Sequence, residues 1–314
     1  MKKLSKKVIA LVLAATMVAG FSFTAFASES EDVVISESDK PYISLGADLT
    51  ADQRDTVLSL FGLTEADLAD YDVVTVTNAQ EHEYLDAYIP SSTIGTKALS
   101  SVVVWEASKG DGINVTTKNI SYCTSGMYSN ALATAGVTDA NVIVAGPTEI
   151  SGTAALIGAI EAYSVMTDET ISTDIIDGAI NEIVTTGELE ESTGNTDEVE
   201  GIIAYLKDEL EDIPNMSDEE LNEEIEDVAD DFDVSLTEDE IAQIRELLRK
   251  LQDLDLDWDS ISQQANDLFD RLESSGFDLS SLGLGDIDTG SLIQQVREVF
   301  NRFVDFFRNL GNRN

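Results

Sequence analysis

The pattern of apolar residues changes near Thr167, and this change limits the folds open to the chain. Before it, four β-rich runs alternate with helical segments; the runs are Asp72–Thr77, Leu99–Ala107, Ile113–Ile120 and Ala140–Ala145. After it, only helical patterns follow, each with one apolar and one acidic face. The sequence therefore predicts an α+β, or mixed α/β, N-terminal domain, in which helices pack on a mixed sheet of about four strands. An all-α acidic helical region follows it.

A β-hairpin is predicted in the middle of the first region. The strand at Val102–Trp105 is followed by the turn-forming residues Lys109–Gly112 and by an alternating run at Ile113–Ile120. A hairpin among alternating helices and strands favours a mixed sheet, and a doubly wound parallel sheet is the alternative.

Helix starts are marked by capping boxes. Thr50, Ser217, Thr237 and Ser291 are each followed three positions later by Gln or Glu, the spacing that pairs two side chains with the first backbone N–H groups of a helix. We therefore expect a helix to begin directly after each of these four residues.

The first 27 residues are typical of a cleaved signal peptide. Four lysines occur among the first seven residues, an apolar run covers Val8–Ala19, and Ala25–Ala27 offers the small-x-small cleavage pattern. We predict export to the extracellular space or the cell wall, with an uncleaved membrane anchor as the alternative. The predicted segments are the signal peptide 1–27, a disordered acidic linker 28–44, a mixed α/β domain 45–166, an acidic helical domain 167–273, a flexible linker 274–290 and a basic Phe-rich amphipathic helix 291–314.

Net charge excludes one class of partner. The chain carries 61 acidic and 18 basic residues, and four of the basic residues lie in the leader, which leaves 14 in the mature protein. Such a surface is repelled by phosphates, so nucleic-acid binding is not expected. Divalent cations, basic proteins and cell-wall partners are compatible with it, although solubility alone is the simpler explanation. Because Cys123 is the only cysteine, no intramolecular disulfide can form.

The candidate catalytic residues centre on His82. It is the only histidine, so any Ser-His-Asp or Cys-His arrangement must use it, with Glu81, Lys97, Ser100 and Ser101 as its possible partners. No nucleophile-elbow motif surrounds a serine. A surface histidine on a charged helix is therefore the simpler interpretation, and whether the protein is an enzyme stays open, with the non-enzymatic reading preferred.

Four carboxylates are the candidate ligands for a metal: Asp253, Asp255, Asp257 and Asp259. Calcium prefers such oxygen ligands. The segment fails as an EF-hand, because Trp258 stands where the loop needs Gly and Gln264 where it needs Glu. We therefore predict no dedicated cofactor and expect only non-specific binding of Ca²⁺ or Mg²⁺.

The last 24 residues combine an apolar stripe with basic residues. The residues of interest for a partner or membrane are Phe300, Phe303, Phe306, Phe307, Arg297, Arg302 and Arg308. A basic amphipathic helix can dock on the acidic helices of its own chain, lie on an anionic membrane or enter a groove of a partner protein. Self-docking is preferred because a free stripe of this size would promote aggregation.

A set of short motifs resembles a known family. The motifs are Leu45–Thr50, Leu58–Gly62, Val76–Asn78, Glu81–His82, Ile94–Ser101, Gly112–Val115, Met127–Tyr128, Asn130–Leu132 and Ser151–Ala155. Together they resemble the domain of unknown function 1002 family, the YpuA-like exported proteins of spore-forming and related Gram-positive bacteria. The resemblance spans roughly residues 45–163 and implies export and a shared fold. It implies no established activity, so it assigns no functional residues.

These observations favour a secreted, non-enzymatic binding or interaction protein of the bacterial cell envelope. The alternatives are a secreted hydrolase that uses His82 and a peripheral membrane protein anchored by its C-terminal helix.

Overall fold

Five strands form one mixed sheet in the computed structural model, which describes residues 35, 41–167, 170–211 and 216–274. The strands are β1 (Tyr42–Gly46), β2 (Asp72–Val76), β3 (Ser101–Glu106), β4 (Ile113–Ile120) and β5 (Ala140–Ile150). Their spatial order is β2-β1-β3-β5-β4; β1 runs parallel to β2 and β4 parallel to β5, whereas β3 is antiparallel to both of its neighbours. The predicted mixed sheet is therefore confirmed, with five strands rather than four.

The predicted hairpin of β3 and β4 is wrong. The two strands are consecutive in sequence, but β5 lies between them: Ile143 of β5 is opposite Val103 on one side and opposite Thr116 on the other. The reason is burial. The ANVIVA run of β5 is almost wholly buried and takes a position inside the sheet, whereas β4 is half-exposed along most of its length and forms an edge.

The helices lie between and after the strands. They are α1 (Ala51–Phe61), α2 (Asn78–Leu85), α3 (Ser91–Ile94), α4 (Ser125–Thr134), α5 (Thr153–Thr167), α6 (Thr173–Thr193), α7 (Thr196–Asp208), α8 (Asp218–Asp231), α9 (Glu238–Gln252) and α10 (Trp258–Ser274). The capping boxes at Thr50, Ser217 and Thr237 are confirmed. The absence of strands after residue 167 is also confirmed for the part of the chain that the structure describes.

The core has three parts. On one face of the sheet, α1 packs against residues such as Ile43 and Val103, and on the other face α4 and α5 cover Val102 and Val144, with α6 packed on α4. A third cluster lies among α7, α8, α9 and α10. Helix α6 contributes Ile180 to the first cluster and Leu189 to the third, so it joins the two regions.

Several predictions lie outside the described residues. They are the signal peptide 1–27, the acidic linker 28–44 except residues 35 and 41–44, the linker 274–290 except Ser274, and the C-terminal segment 291–314 with its phenylalanines and arginines. No helix among the described residues is both long and apolar enough to span a membrane. The described residues belong to one compact unit, and the exact domain limits stay a prediction.

Candidate functional site

The carboxyl ends of β1, β2, β4 and β5 lie together at one edge of the sheet, beside the amino end of β3. The register places Gly46 beside Val76, and it places both Ser101 and Lys118 beside Ala145. The carboxyl edge of an open sheet is the usual place for a ligand site. Three of the sequence motifs, at residues 45–50, 76–78 and 94–101, also lie here. We therefore take this edge as the candidate functional site.

Two of these motifs hold each other in place through their backbones. Ser101 Oγ accepts the N–H of Gly46 at 3.1 Å, the N–H of Asp48 donates to Ala98 O at 3.1 Å, and Asp48 Oδ2 accepts the N–H of Ala98 at 2.9 Å. A Cβ atom at Gly46 would overlap the carbonyl of Ala98, so the close approach requires glycine. These contacts give the motifs at residues 45–50 and 94–101 a structural role.

Glu81 and Ser100 meet at the N-terminus of α5. Glu81 is 3% exposed, and its carboxylate accepts hydrogen bonds from Asn78 Nδ2 and from Thr153 Oγ1, both at 3.2 Å. Ser100 Oγ accepts the N–H of Ala155 at 3.0 Å. Burial raises the pKa of Glu81 although both hydrogen bonds oppose this shift. Ser100 thus accepts a backbone N–H that the first turn of α5 leaves without a partner inside the helix, and Glu81 accepts the Thr153 hydroxyl of the same turn.

His82 points away from these residues. Its Nδ1 lies 2.9 Å from Asp86 Oδ1 and its Nε2 lies 3.0 Å from Gly95 O. Ser91 Oγ donates to the same Asp86 oxygen at 2.7 Å. A Ser-His-Asp triad needs the serine at the second ring nitrogen. Here the serine contacts the carboxylate and a backbone carbonyl takes that nitrogen, so the trio lacks the geometry of a hydrolase.

The remaining candidates are apart from His82. Lys97 is exposed, and Ser101 is buried beside Gly46. Cys123 is fully buried, and that burial raises the pKa of its thiol to about 12, so it stays protonated at neutral pH. The structure brings Glu81 and Ser100 together but does not assemble the five candidate residues around a common reacting point.

The candidate metal ligands lie at the junction of α9 and α10. Asp253, Asp255 and Asp257 are exposed, whereas Leu256 between them is buried. The side chain of Asp259 lies outside what the structure describes. Among the described residues, no three His, Cys, Asp or Glu side chains are placed to hold a metal ion.

A buried ion pair that the sequence did not predict lies where α4, α6 and α7 meet. Lys207 and Glu182 are both 0% exposed, and their charged atoms are 2.7 Å apart. Lys207 Nζ also donates to Asn130 O at 2.8 Å and to Thr134 Oγ1 at 3.0 Å, while Thr134 donates to Glu182 Oε2 at 2.5 Å. We call these four residues the paired cluster. One signal was available: Lys207 is the only basic residue between Lys118 and Arg245.

A second group lies near the start of α4 and consists of the buried Glu200 and the partly buried Glu190; we call it the carboxyl pair. Glu200 accepts hydrogen bonds from the Thr124 hydroxyl and from the backbone of Met127, and its side chain fills the space that a Cβ at Gly126 would need. Burial, followed by the charge of the other member, raises the pKa of Glu190 to about 8. Burial raises the pKa of Glu200 to about 7.

A third group links the two halves of the molecule at a partly exposed position. Tyr88 OH donates to Asp177 Oδ1 at 2.5 Å, and Lys250 Nζ contacts Asp177 Oδ2 at 2.5 Å. The same ammonium lies 4.8 Å from the centre of the Tyr88 ring. This group joins the segment after α2 to α6 and α9.

The comparisons with known proteins agree with the resemblance seen in the motifs. The family described as protein of unknown function (DUF1002) matches residues 45–268, which extends the likeness beyond residue 163 into the acidic helices. The chain is 41% identical over 232 residues to the uncharacterized protein YpuA of Bacillus subtilis (strain 168), covering 73% of this chain and 78% of YpuA. No solved structure matches. The chain therefore belongs to the DUF1002 family of proteins of unknown function.

Proposed function

We propose that this protein is a secreted, non-enzymatic binding protein of the bacterial cell envelope, whose acidic helices bind cationic partners. The signal-peptide pattern of residues 1–27 supports export. The hydrogen bonds of Glu81, His82, Ser100 and Ser101 support the non-enzymatic part, because each of these side chains has a partner within the fold.

The observation that carries the proposal is an exposed acidic surface on α8 and the start of α9. It consists of the exposed carboxyl side chains of Asp218, Glu219, Glu220, Glu223, Glu226, Asp227, Asp230, Asp231, Asp233, Glu238 and Asp239. Arg249 contacts Asp218 at 3.2 Å at one end of this surface. So many like charges on adjacent turns repel one another, and a bound cation relieves that repulsion.

Acidic neighbours add to the effect of burial on the pKa values of two carboxyl groups of α8. Burial, followed by the charges of Asp227 and Asp231, raises the pKa of Glu224 to about 7. Burial and its acidic neighbours also raise the pKa of Asp231. The negative charges that contribute to these shifts also attract basic peptides and divalent cations.

The test compares two variants with the same change in charge. The first removes four charges from the acidic surface, Glu219→Gln, Glu223→Gln, Glu226→Gln and Asp230→Asn. The control removes four exposed charges from the sheet region, Asp52→Asn, Asp55→Asn, Asp70→Asn and Asp72→Asn. Binding of an oligolysine peptide is measured by calorimetry at low and at physiological salt.

We expect the first variant to bind at least about tenfold more weakly than the control variant, because the local potential and not the net charge attracts the peptide. An equal loss in both variants would refute a specific surface. A pull-down of the mature protein from cell-wall extract, with and without calcium, then identifies the natural partner.

A second activity, attachment to an anionic membrane through residues 291–314, is favoured by the apolar exposure of the described surface. Large hydrophobic side chains that are well exposed there are limited to Val73, at 38%, and Val165, at 48%, on β2 and α5. These two side chains offer little apolar area for docking the Phe-rich stripe of residues 291–314, and a lipid surface accepts such a stripe readily.

Flotation with anionic vesicles tests this activity. We expect the mature protein to float, and the loss of residues 291–314 or the combined change Arg297→Gln, Arg302→Gln and Arg308→Gln to reduce flotation. Failure of the intact protein to float, with binding by an isolated 291–314 peptide, would support self-docking instead.

A further inference from the structure

The two nitrogens of the His82 ring both face oxygen atoms that can only accept hydrogen bonds. Nδ1 faces the carboxylate of Asp86 at 2.9 Å, and Nε2 faces the backbone carbonyl of Gly95 at 3.0 Å. A neutral imidazole carries one N–H, whereas the imidazolium ion carries two. Both contacts are therefore satisfied together only when the ring is protonated.

We propose that His82 is a pH-sensitive switch that fastens the segment 86–97 to α2 when its ring is protonated and releases Gly95 when the proton leaves. The segment contains α3 and runs into Ala98, which binds Asp48 at the carboxyl edge of the sheet. Protonation of His82 therefore affects the position of the motif at residues 94–101, which lies at the candidate functional site.

The geometry also decides which contact is lost on deprotonation. A hydrogen bond to a charged carboxylate is stronger than one to a neutral carbonyl, so the remaining proton stays on Nδ1 beside Asp86. Asp86 is fixed as a carboxylate, since bonds from His82 and Ser91 lower its pKa. The N–H toward Gly95 is the one that disappears.

The charged groups around the ring all favour the protonated form. The hydrogen bond to Asp86 raises the pKa of His82 most, followed by the bond to Gly95 and the charges of Asp86 and Glu81. Because the folded pKa lies above the unfolded one, the stabilisation is fully present below the unfolded pKa near 6.5 and is lost as pH rises through the folded value.

The experiment uses the untagged full chain, in which His82 gives the single imidazole signal. Nitrogen NMR follows the protonation of both ring nitrogens, and amide hydrogen exchange follows residues 86–97 across the same pH range. We expect a pKa above about 6.5 and, after correction for intrinsic exchange, a roughly two- to tenfold loss of protection above that pKa, the effect of one hydrogen bond.

The variant Asp86→Asn sharpens the test. An amide at position 86 can donate to Nδ1 of a neutral ring, which keeps its one proton on Nε2 for Gly95. We expect its histidine pKa to fall and the protection of residues 86–97 to lose its pH dependence, whereas the control Asp52→Asn leaves both unchanged. A wild-type pKa at or below 6.5, or an unaltered pH dependence in Asp86→Asn, would overturn the switch.

Discussion

The paired cluster and the carboxyl pair lie against the same helix, α4, and differ in whether their charges are compensated. In the paired cluster, Lys207 places its ammonium against three acceptors, and both Glu182 oxygens receive a donor. In the carboxyl pair, Glu200 faces another carboxyl group, and Glu190 Oε1 is buried without a hydrogen-bond partner.

The difference shows two ways to place charge inside an acidic protein. A lysine with a full set of acceptors can be buried as an ion, although burial still lowers its pKa against the effect of Glu182. In the carboxyl pair the charge of Arg271 favours ionisation of Glu200, but burial outweighs it, so the fold favours the protonated forms of both groups. The first arrangement fixes how α4, α6 and α7 pack, and the second makes the stability of that junction depend on pH.

Loss of Lys207 is expected to have the largest effect. Lys207→Met leaves Glu182 as a buried charge without its counter-ion, which should lower the free energy of unfolding by about 3–5 kcal/mol. The double variant Lys207→Met, Glu182→Leu should recover much of this loss, because no buried charge remains. Urea unfolding at pH 7 measures both, and a loss below about 1 kcal/mol in the single variant would contradict compensation.

Removal of one charge from the carboxyl pair should raise the free energy of unfolding, the opposite of the effect expected for Lys207→Met. The pKa values of about 7 for Glu200 and about 8 for Glu190 lie above the unfolded value near 4.3. The stability from these groups is therefore present below that unfolded value and is lost as pH rises through 7 and 8. At pH 9, Glu200→Gln should be more stable than wild type by on the order of 3 kcal/mol.

The pH dependence separates this effect from a general change in charge. Unfolding at pH 5, 7 and 9 should show the gain of Glu200→Gln growing with pH. Glu188→Gln, which removes an exposed charge from α6, should show no such growth. A constant difference across the three pH values would mean that Glu200 is already ionised in the folded protein.

The group formed by Tyr88, Asp177 and Lys250 is partly exposed, and the variant Tyr88→Phe tests its contribution to stability. Tyr88→Phe removes the hydroxyl that donates to Asp177 and accepts from Lys250 Nζ, while the direct contact of Lys250 with Asp177 at 2.5 Å stays. We expect a loss of about 1–2 kcal/mol in the free energy of unfolding, the usual range for two partly exposed hydrogen bonds. A loss as large as that of Lys207→Met would show that this group, and not the paired cluster, holds the two halves together.

The sequence predicted local features of the fold and missed those that depend on pairing across the chain. Capping boxes and buried runs gave the helices and four of the strands, because both are local patterns. Strand β1 was missed: its five residues follow Pro41, and its central Ser44 is buried only because α5 and β3 cover it. The insertion of β5 between β3 and β4 follows from relative burial, which periodicity does not reveal.

The candidate site was predictable only as a set of motifs. The sequence identified Glu81, His82 and Ser100 by residue type, and their partners Thr153, Gly95 and Ala155 lie 72, 13 and 55 positions away. Likewise, nothing local in the sequence shows that a third helix covers Glu182 and Lys207. Whether a charge is buried depends on packing between distant segments, and it leaves no periodic pattern in the sequence.

The smallest effect is expected at an ion pair on the protein surface, formed by the partly exposed Arg54 and the exposed Glu65. Arg54 donates to both oxygens of Glu65, at 2.7 and 3.1 Å, and these bonds lower the pKa of Glu65. Because the folded pKa is lowered, the contribution exists above the unfolded value near 4.3 and is lost as pH falls through the folded pKa. Water and salt screen such a pair, so Glu65→Gln should shift the melting temperature at pH 7 by less than about 3 °C, and high salt should abolish the shift. A salt-independent shift as large as that of Lys207→Met would mean that geometry alone, and not burial, sets the value of an ion pair in this protein.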